Sequence, residues 1–272
     1  MTSIGTYPDI SVALEDRVAT ITIRRPPFNY FDVTLINSIA DAFADLDANP
    51  QCRALVLAAE GKAFCAGADF AGGDRLDKDN AAAAGADDSA FKKRSGRLYQ
   101  EAVRLFRNKK PVVCAVQGAA IGGGLGLALV GDFRVTCPEA RFSANFSRLG
   151  FHPGFGLTHT LPALIGQQKA HLMFYSGRRV PGDQACAWGL ADLLVAQDQV
   201  LASAQALARE IAGSAPLAVQ SIRETVRMGL ADRVQAATDR ELGEQQWLLK
   251  TADAKEGIKA TAERREPDFK GN

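Results

Sequence analysis

The chain has 272 residues and is 47% hydrophobic, enough to bury a substantial core as one large domain, or a large domain with a smaller appendage, without disulfides or metals to hold it. Its 32 basic and 31 acidic residues leave a formal net charge of +1, which excludes a global field for gathering nucleic acid or an anionic membrane. A small or amphipathic ligand is the better expectation, with no nucleic-acid or membrane partner.

The opening MTSIGTYPDI has no basic segment followed by an apolar run, and no stretch nears the roughly 20 apolar residues of a membrane span. Cys52, Cys65, Cys114, Cys137 and Cys186 are scattered, odd in number and free of any C-x-x-C spacing. They read as buried thiols in a reducing compartment, and the expected setting is the cytoplasm.

ISVALED and RVATITIRR open the chain as short β-like runs, ended by Pro26-Pro27, and predict an antiparallel pair. Between Thr34 and Leu46, the residues Leu35, Ile36, Ile39, Phe43 and Leu46 recur at helical spacing, and RALVLAAE after them reads as a buried strand. Gly72 to Gly85, polar and rich in small residues, predicts a loop or short irregular helix of the kind that covers sites. The segment SAFKKRSGRLYQEAVRLFRN then predicts a helix. Lys92, Lys93, Arg94, Arg97, Arg104 and Arg107 form its solvated face, opposite Leu98, Val103 and Phe106. The strand PVVCAVQG follows, and this alternation implies α/β architecture. Beyond Gly213 the pattern is helical only, which divides the chain into a core of residues 1–212 and a helical subdomain of residues 213–272.

Gly118 to Asp132, GAAIGGGLGLALVGD, lacks both G-x-G-x-x-G and the Gly-Lys-Ser/Thr ending of a phosphate loop, and Gly61-Lys62 is followed by Ala63. What remains is a strand ending near Gln117 and an apolar helix starting at or near Gly123. The unpaired N–H groups of its first turn could receive an oxyanion, or its glycines could only permit close packing. GKAFCAGADF, Gly61 to Phe70, also leaves a buried strand for small residues. Two such loops can face each other and give one N–H apiece to a single oxygen.

These two stretches, with VALEDRVATITIRRPPFN, GFHPGFGLTHTLPALIG, AWGLAD and the tail AKEGIKATAERREPDFKG in the same order, resemble the crotonase, or enoyl-CoA hydratase/isomerase, superfamily over nearly the whole chain. The resemblance implies a crotonase-like ββα spiral followed by a helical trimerisation region, in trimers or dimers of trimers. It also implies an acyl-CoA thioester bound between the loops, with coenzyme A entering as part of the substrate and no permanently bound cofactor or metal. By position, the oxyanion donors would be the backbone N–H groups of Ala68 and Gly123. The ligand would further meet Arg25, Pro27, Phe28, Lys62, Ala66, Asp69 and Gly122. Arg25 and Lys62 read equally well as solvated, and Asp69 lies in a GAD run that is usually structural.

The pattern departs from the hydratases at the two positions where they carry glutamates. These hold Gly126 and Phe146 here, so the paired acid/base logic of hydration is absent. Phe146 likewise denies the isomerases their acid. The 4-chlorobenzoyl-CoA dehalogenases share GGGLG and an aromatic residue at Phe146, but their nucleophilic aspartate would fall at Gly154, where no aryl ester can form. His152, in GFHPGFG, is the leading catalytic candidate because imidazole titrates near neutral pH; it reads equally as a structural histidine beside Pro153. Tyr99 is a second candidate, as a phenol donating to substrate or as a core tyrosine. Ser143 and Asn145 could bind a substrate oxygen or cap their loop, and His159 is expected on a helix away from the thioester. Two functions stay open: an acyl-CoA enzyme with a nonstandard acid/base set, and an acyl-CoA-binding homologue without chemistry.

Overall fold

The computed structural model describes residues 2–3, 5–68 and 88–272, with the side chains of 2–3 and 88–94 left aside. The predicted loop Gly72–Gly85, Asp69 and the side chains of Lys92, Lys93 and Arg94 lie outside the described residues.

The strands are β1 (Thr2–Ser3), β2 (Ile10–Glu15), β3 (Val18–Ile23), β4 (Ala54–Ala59), β5 (Ala63–Cys65), β6 (Val112–Val116), β7 (Ala119–Ile121), β8 (Phe133–Thr136), β9 (Arg141–Ser143), β10 (Val180–Pro181) and β11 (Leu193–Leu194). They form a large sheet in the order β1-β2-β3-β4-β6-β8-β11 and a small one in the order β10-β9-β7-β5. The expected antiparallel pair is β2 with β3, in a register that sets Ile10 opposite Ile23. From β3 onward the ladders β3/β4, β4/β6 and β6/β8 are parallel.

Three successive turns of chain each place one strand in the large sheet and the next in the small one: β4 then β5, β6 then β7, β8 then β9. This is the ββα spiral. Its inner strands are covered on both faces, so β6 (VVCAV) can be apolar at every position, and all five residues are buried.

The helix Val33–Ala48 starts where the Asp32 carboxylate accepts from the Leu35 N–H at 2.8 Å, and it buries Leu35, Ile36, Ile39, Phe43 and Leu46 as their spacing predicts. The helix Asp88–Phe106 buries Val103 and Phe106, while Arg104 pairs outward with Asp41 and Glu101. Cys52, Cys65, Cys114 and Cys137 are buried free thiols, whereas Cys186, expected to be buried, is half-buried; burial pushes Cys65 and Cys114 up to about 12. Among the described residues no helix is long and apolar enough to cross a membrane.

After Gly213 the chain is helical: Pro216–Val226, Leu230–Leu248 and Ala252–Glu263. Buried side chains tie these helices to the spiral. Arg223 binds Asp132 at 2.9 Å and the Asn108 carbonyl at 2.5 Å, and Arg227 reaches Asp132 at 2.6 Å. The terminal Asn272 carbonyl accepts from Ala252 N–H at the start of the last helix.

Candidate active site

Strands β5 and β7 run side by side and parallel, and each opens into a loop at the same end. The turn after β3 is laced to the first loop, since Ala66 N–H donates to the Phe28 carbonyl at 2.9 Å and Phe31 N–H to the Gly67 carbonyl at 3.0 Å. Gly67 has φ +87°, and a Cβ added there would stand 2.8 Å from the Ile121 carbonyl oxygen and 3.9 Å from the Gly123 nitrogen. The first loop therefore lies directly against the start of the second.

Gly122 (φ 55°, ψ −121°) turns the chain out of β7; its N–H donates to the Ser143 carbonyl, and its own carbonyl accepts from Leu125 and Gly126. The helix Gly123–Ala128 follows. Among the described residues, no hydrogen bond engages the N–H of Ala68 or of Gly123. Gly123 is buried and Ala68 half-buried.

Aromatic rings close over these glycines. A Cβ on Gly123 would fall 2.3 Å from Phe31 Cζ, one on Gly126 would fall 2.7 Å from Phe155 Cβ, and one on Gly122 would touch Phe146 Cζ at 3.5 Å. The Phe31 and Phe155 centroids are 5.8 Å apart and tilted by 60°, and Phe146 meets Phe151 edge-on at 5.8 Å. All four phenylalanines are buried.

Opposite lies the loop Gly150–Gly156, fixed from behind by the helix Leu230–Leu248. His152 is half-buried, with Nδ1 3.0 Å from the Pro153 carbonyl. A carbonyl only accepts, so Nδ1 is the nitrogen that donates in this contact, which leaves Nε2 as the acceptor of the Nδ1–H tautomer. Gln245 Nε2 donates to the His152 carbonyl at 3.0 Å, and its Oε1 accepts from Tyr99 Oη at 2.7 Å. Tyr99 is thus buried beneath the loop with its proton committed to Gln245, and burial with the nearby Glu241 raises its phenol far above the ordinary range.

Glu241 is fully buried and accepts from Gly156 N–H at 2.8 Å, Thr158 N–H at 2.9 Å and Thr158 Oγ1 at 2.6 Å. It caps the helix Leu157–Ile165 from a distant part of the chain. Burial pushes its carboxyl up, although those three donors and His152 act the other way.

The other expected residues spread around the first loop. Arg25 is half-buried between Asp9 (2.5 Å) and Asp32 (3.0 Å), so its charge is balanced within the chain, whereas Phe28 and Lys62 are exposed. Ser143 Oγ donates to the Gly177 carbonyl, and Asn145 Oδ1 lies near Gly122. His159 lies on the helix Leu157–Ile165 beside Arg233, and burial and that cation lower its pKa.

Three residues of this region stand out only in three dimensions, and a fourth nearly so. Glu241 and Gln245 belong to a helix whose polar residues look solvated in sequence, and Phe31 lies 92 positions before the glycine it covers. Phe155 carried one signal, a bulky ring set between Gly154 and Gly156.

Known proteins resemble the chain over almost its whole length. The sequence model of the family described as enoyl-CoA hydratase/isomerase matches residues 13–272. A Bacillus subtilis protein named as a probable enoyl-CoA hydratase is 30% identical over 96% of this chain and 98% of its own length. A carnitinyl-CoA dehydratase of Salmonella arizonae is 32% identical over 94% and 95%. The crystal structure of an enoyl-CoA hydratase/isomerase from Pseudoalteromonas atlantica superposes with a TM-score of 0.82 at 29% identity, covering 96% of this chain and all of that one.

Proposed function

Because the chain belongs to the enoyl-CoA hydratase/isomerase family, we propose that it binds an acyl-CoA thioester and steadies the enolate or tetrahedral oxyanion formed at the thioester oxygen with the N–H groups of Ala68 and Gly123. The observation that carries this reading is the approach of the Gly67 backbone to the Gly123 nitrogen, with both N–H groups unengaged among the described residues. Two donors fixed by main chain need no reorganisation as charge develops. Removing one donor of this type costs on the order of 10²–10³ in rate.

The chemistry is not ordinary hydration. The positions of the hydratase glutamates hold Gly126 and Phe146, neither of which can activate water or move the α-proton. Reactions within reach pass through an enolate or oxyanion: decarboxylation, retro-Claisen cleavage, isomerisation or thioester hydrolysis. His152 is the group that handles the proton, since its Nδ1–H is held by the Pro153 carbonyl and Nε2 is left to accept. Arg25, Phe28, Lys62, Ala66 and Gly122 border the path of the CoA moiety. The exposed Leu217, Ile222, Val226 and Met228 support assembly through the C-terminal helices.

Replacing His152 by alanine is expected to lower turnover by a factor on the order of 10²–10⁴ while the melting temperature stays within a few degrees. Unchanged turnover of the true substrate would remove His152 from the reaction. Phe146 at the position of an acid favours one second reading, an acyl-CoA-binding homologue without chemistry. Calorimetric binding with no product from a panel of thioesters would support it, and turnover of any member would eliminate it.

A further inference from the structure

We propose that Phe155 is the specificity-determining residue of the acyl pocket, closing it one helical turn beyond the oxyanion donor so that the ligand is a CoA thioester of a short, unbranched acyl group. The inference rests on the acyl-CoA reading above.

Gly126 follows Gly123 by three residues in the same helix, so the two backbone positions share a face one turn apart. A group held at the Gly123 N–H and extending along that face meets Gly126 next. There, Phe155 Cβ, Cγ and Cδ1 stand 2.7–2.8 Å from where a Gly126 side chain would begin. Glycine at 126 is what gives the ring its place, and the ring occupies the space that a side chain at 126 would otherwise use. Phe31 covers Gly123 in the same way and packs on Phe155.

Nor is the ring free to swing away. Phe155 has φ +64°, a conformation that bulky residues seldom adopt, and its backbone is pinned on both sides. On one side, a Cβ on Gly154 would fall 2.1 Å from Tyr99 Oη; on the other, Glu241 holds the N–H groups of Gly156 and Thr158. The wall is rigid because a buried carboxylate from the C-terminal helix holds the loop that carries it.

The test is calorimetric titration of free CoA, acetyl-CoA, crotonyl-CoA and octanoyl-CoA into the full chain and into Phe155→Ala and Phe155→Leu, with thermal melts of each. The wild type is expected to prefer acetyl-CoA or crotonyl-CoA over octanoyl-CoA at least tenfold. Phe155→Ala should raise octanoyl-CoA affinity about tenfold with free CoA unchanged, and Phe155→Leu, which keeps apolar bulk if the alanine variant unfolds, should shift it in the same direction by less. Thioesters that bind with a preference indifferent to both substitutions would overturn the role of Phe155 while leaving the acyl-CoA reading intact. A wild type that binds no thioester would overturn both.

Discussion

Alanine at Gly124 is expected to destabilise the chain by about 4 kcal/mol or more, to the point of lost soluble yield, because the added Cβ would stand 2.0 Å from the Cys65 carbonyl oxygen and 2.7 Å from its carbon. Both are main-chain atoms at the end of β5, so no side chain can rotate away. Relief requires β5 to part from the helix Gly123–Ala128, and with it the Ala66–Ala68 loop from the Gly123 N–H. Thioester binding should therefore vanish together with the fold. Gly243 is the control: a Cβ there meets nothing within 4 Å, in the middle of a helix, so alanine should be neutral or stabilising by up to about 1 kcal/mol. Thermal melts of the two variants suffice. A Gly124→Ala protein melting with the wild type would mean that the two loops do not touch.

The second large effect lies where the C-terminal helices join the spiral. Asp132→Asn is expected to cost about 3 kcal/mol, because it leaves the guanidinium groups of Arg223 and Arg227 without their counter-ion while Arg223 remains buried. The same carboxylate accepts from Val112 N–H at 2.8 Å, so the loss also reaches the start of β6. Burial pushes the Asp132 carboxyl up, but Arg223, Arg227 and the Val112 N–H outweigh it and hold the pKa below the ordinary value. A carboxylate whose pKa is depressed by folding adds stability above its unfolded value, near about 4, and loses it as pH falls through the folded value. The gap between wild type and Asp132→Asn in denaturant melts should therefore be widest near neutral pH and narrow below about pH 4. A gap that stays constant across that range would contradict the ion-pair account.

Local patterns were legible where a single element decides them. The apolar spacing between Thr34 and Leu46 marked the helix Val33–Ala48, and the run PVVCAVQG marked β6, because both bury residues at the period of their own backbone. The glycines at 122–124 announced a backbone-lined turn after a strand, and the helix does begin at Gly123. The short strands β8, β10 and β11 carry two to four residues each and owe their pairing to neighbours far along the chain. The site was legible as a list of glycines and not as a set of contacts. Glu241 reaches Gly156 across 85 positions and Gln245 reaches Tyr99 across 146, distances over which sequence periodicity carries no information. Phe155 explains the glycine at 126 only once the loop is folded over the helix.

The proposed acyl-CoA site has two backbone donors and, at residues 126 and 146, neither of the hydratase glutamates to activate water. It is tested most directly by incubating the purified chain with crotonyl-CoA, following the enoyl thioester absorbance while calorimetry on the same preparation measures binding. Crotonyl-CoA is expected to bind and not to be hydrated above the buffer rate. Rapid hydration would contradict this, by showing that a group other than residues 126 and 146 activates water in this site.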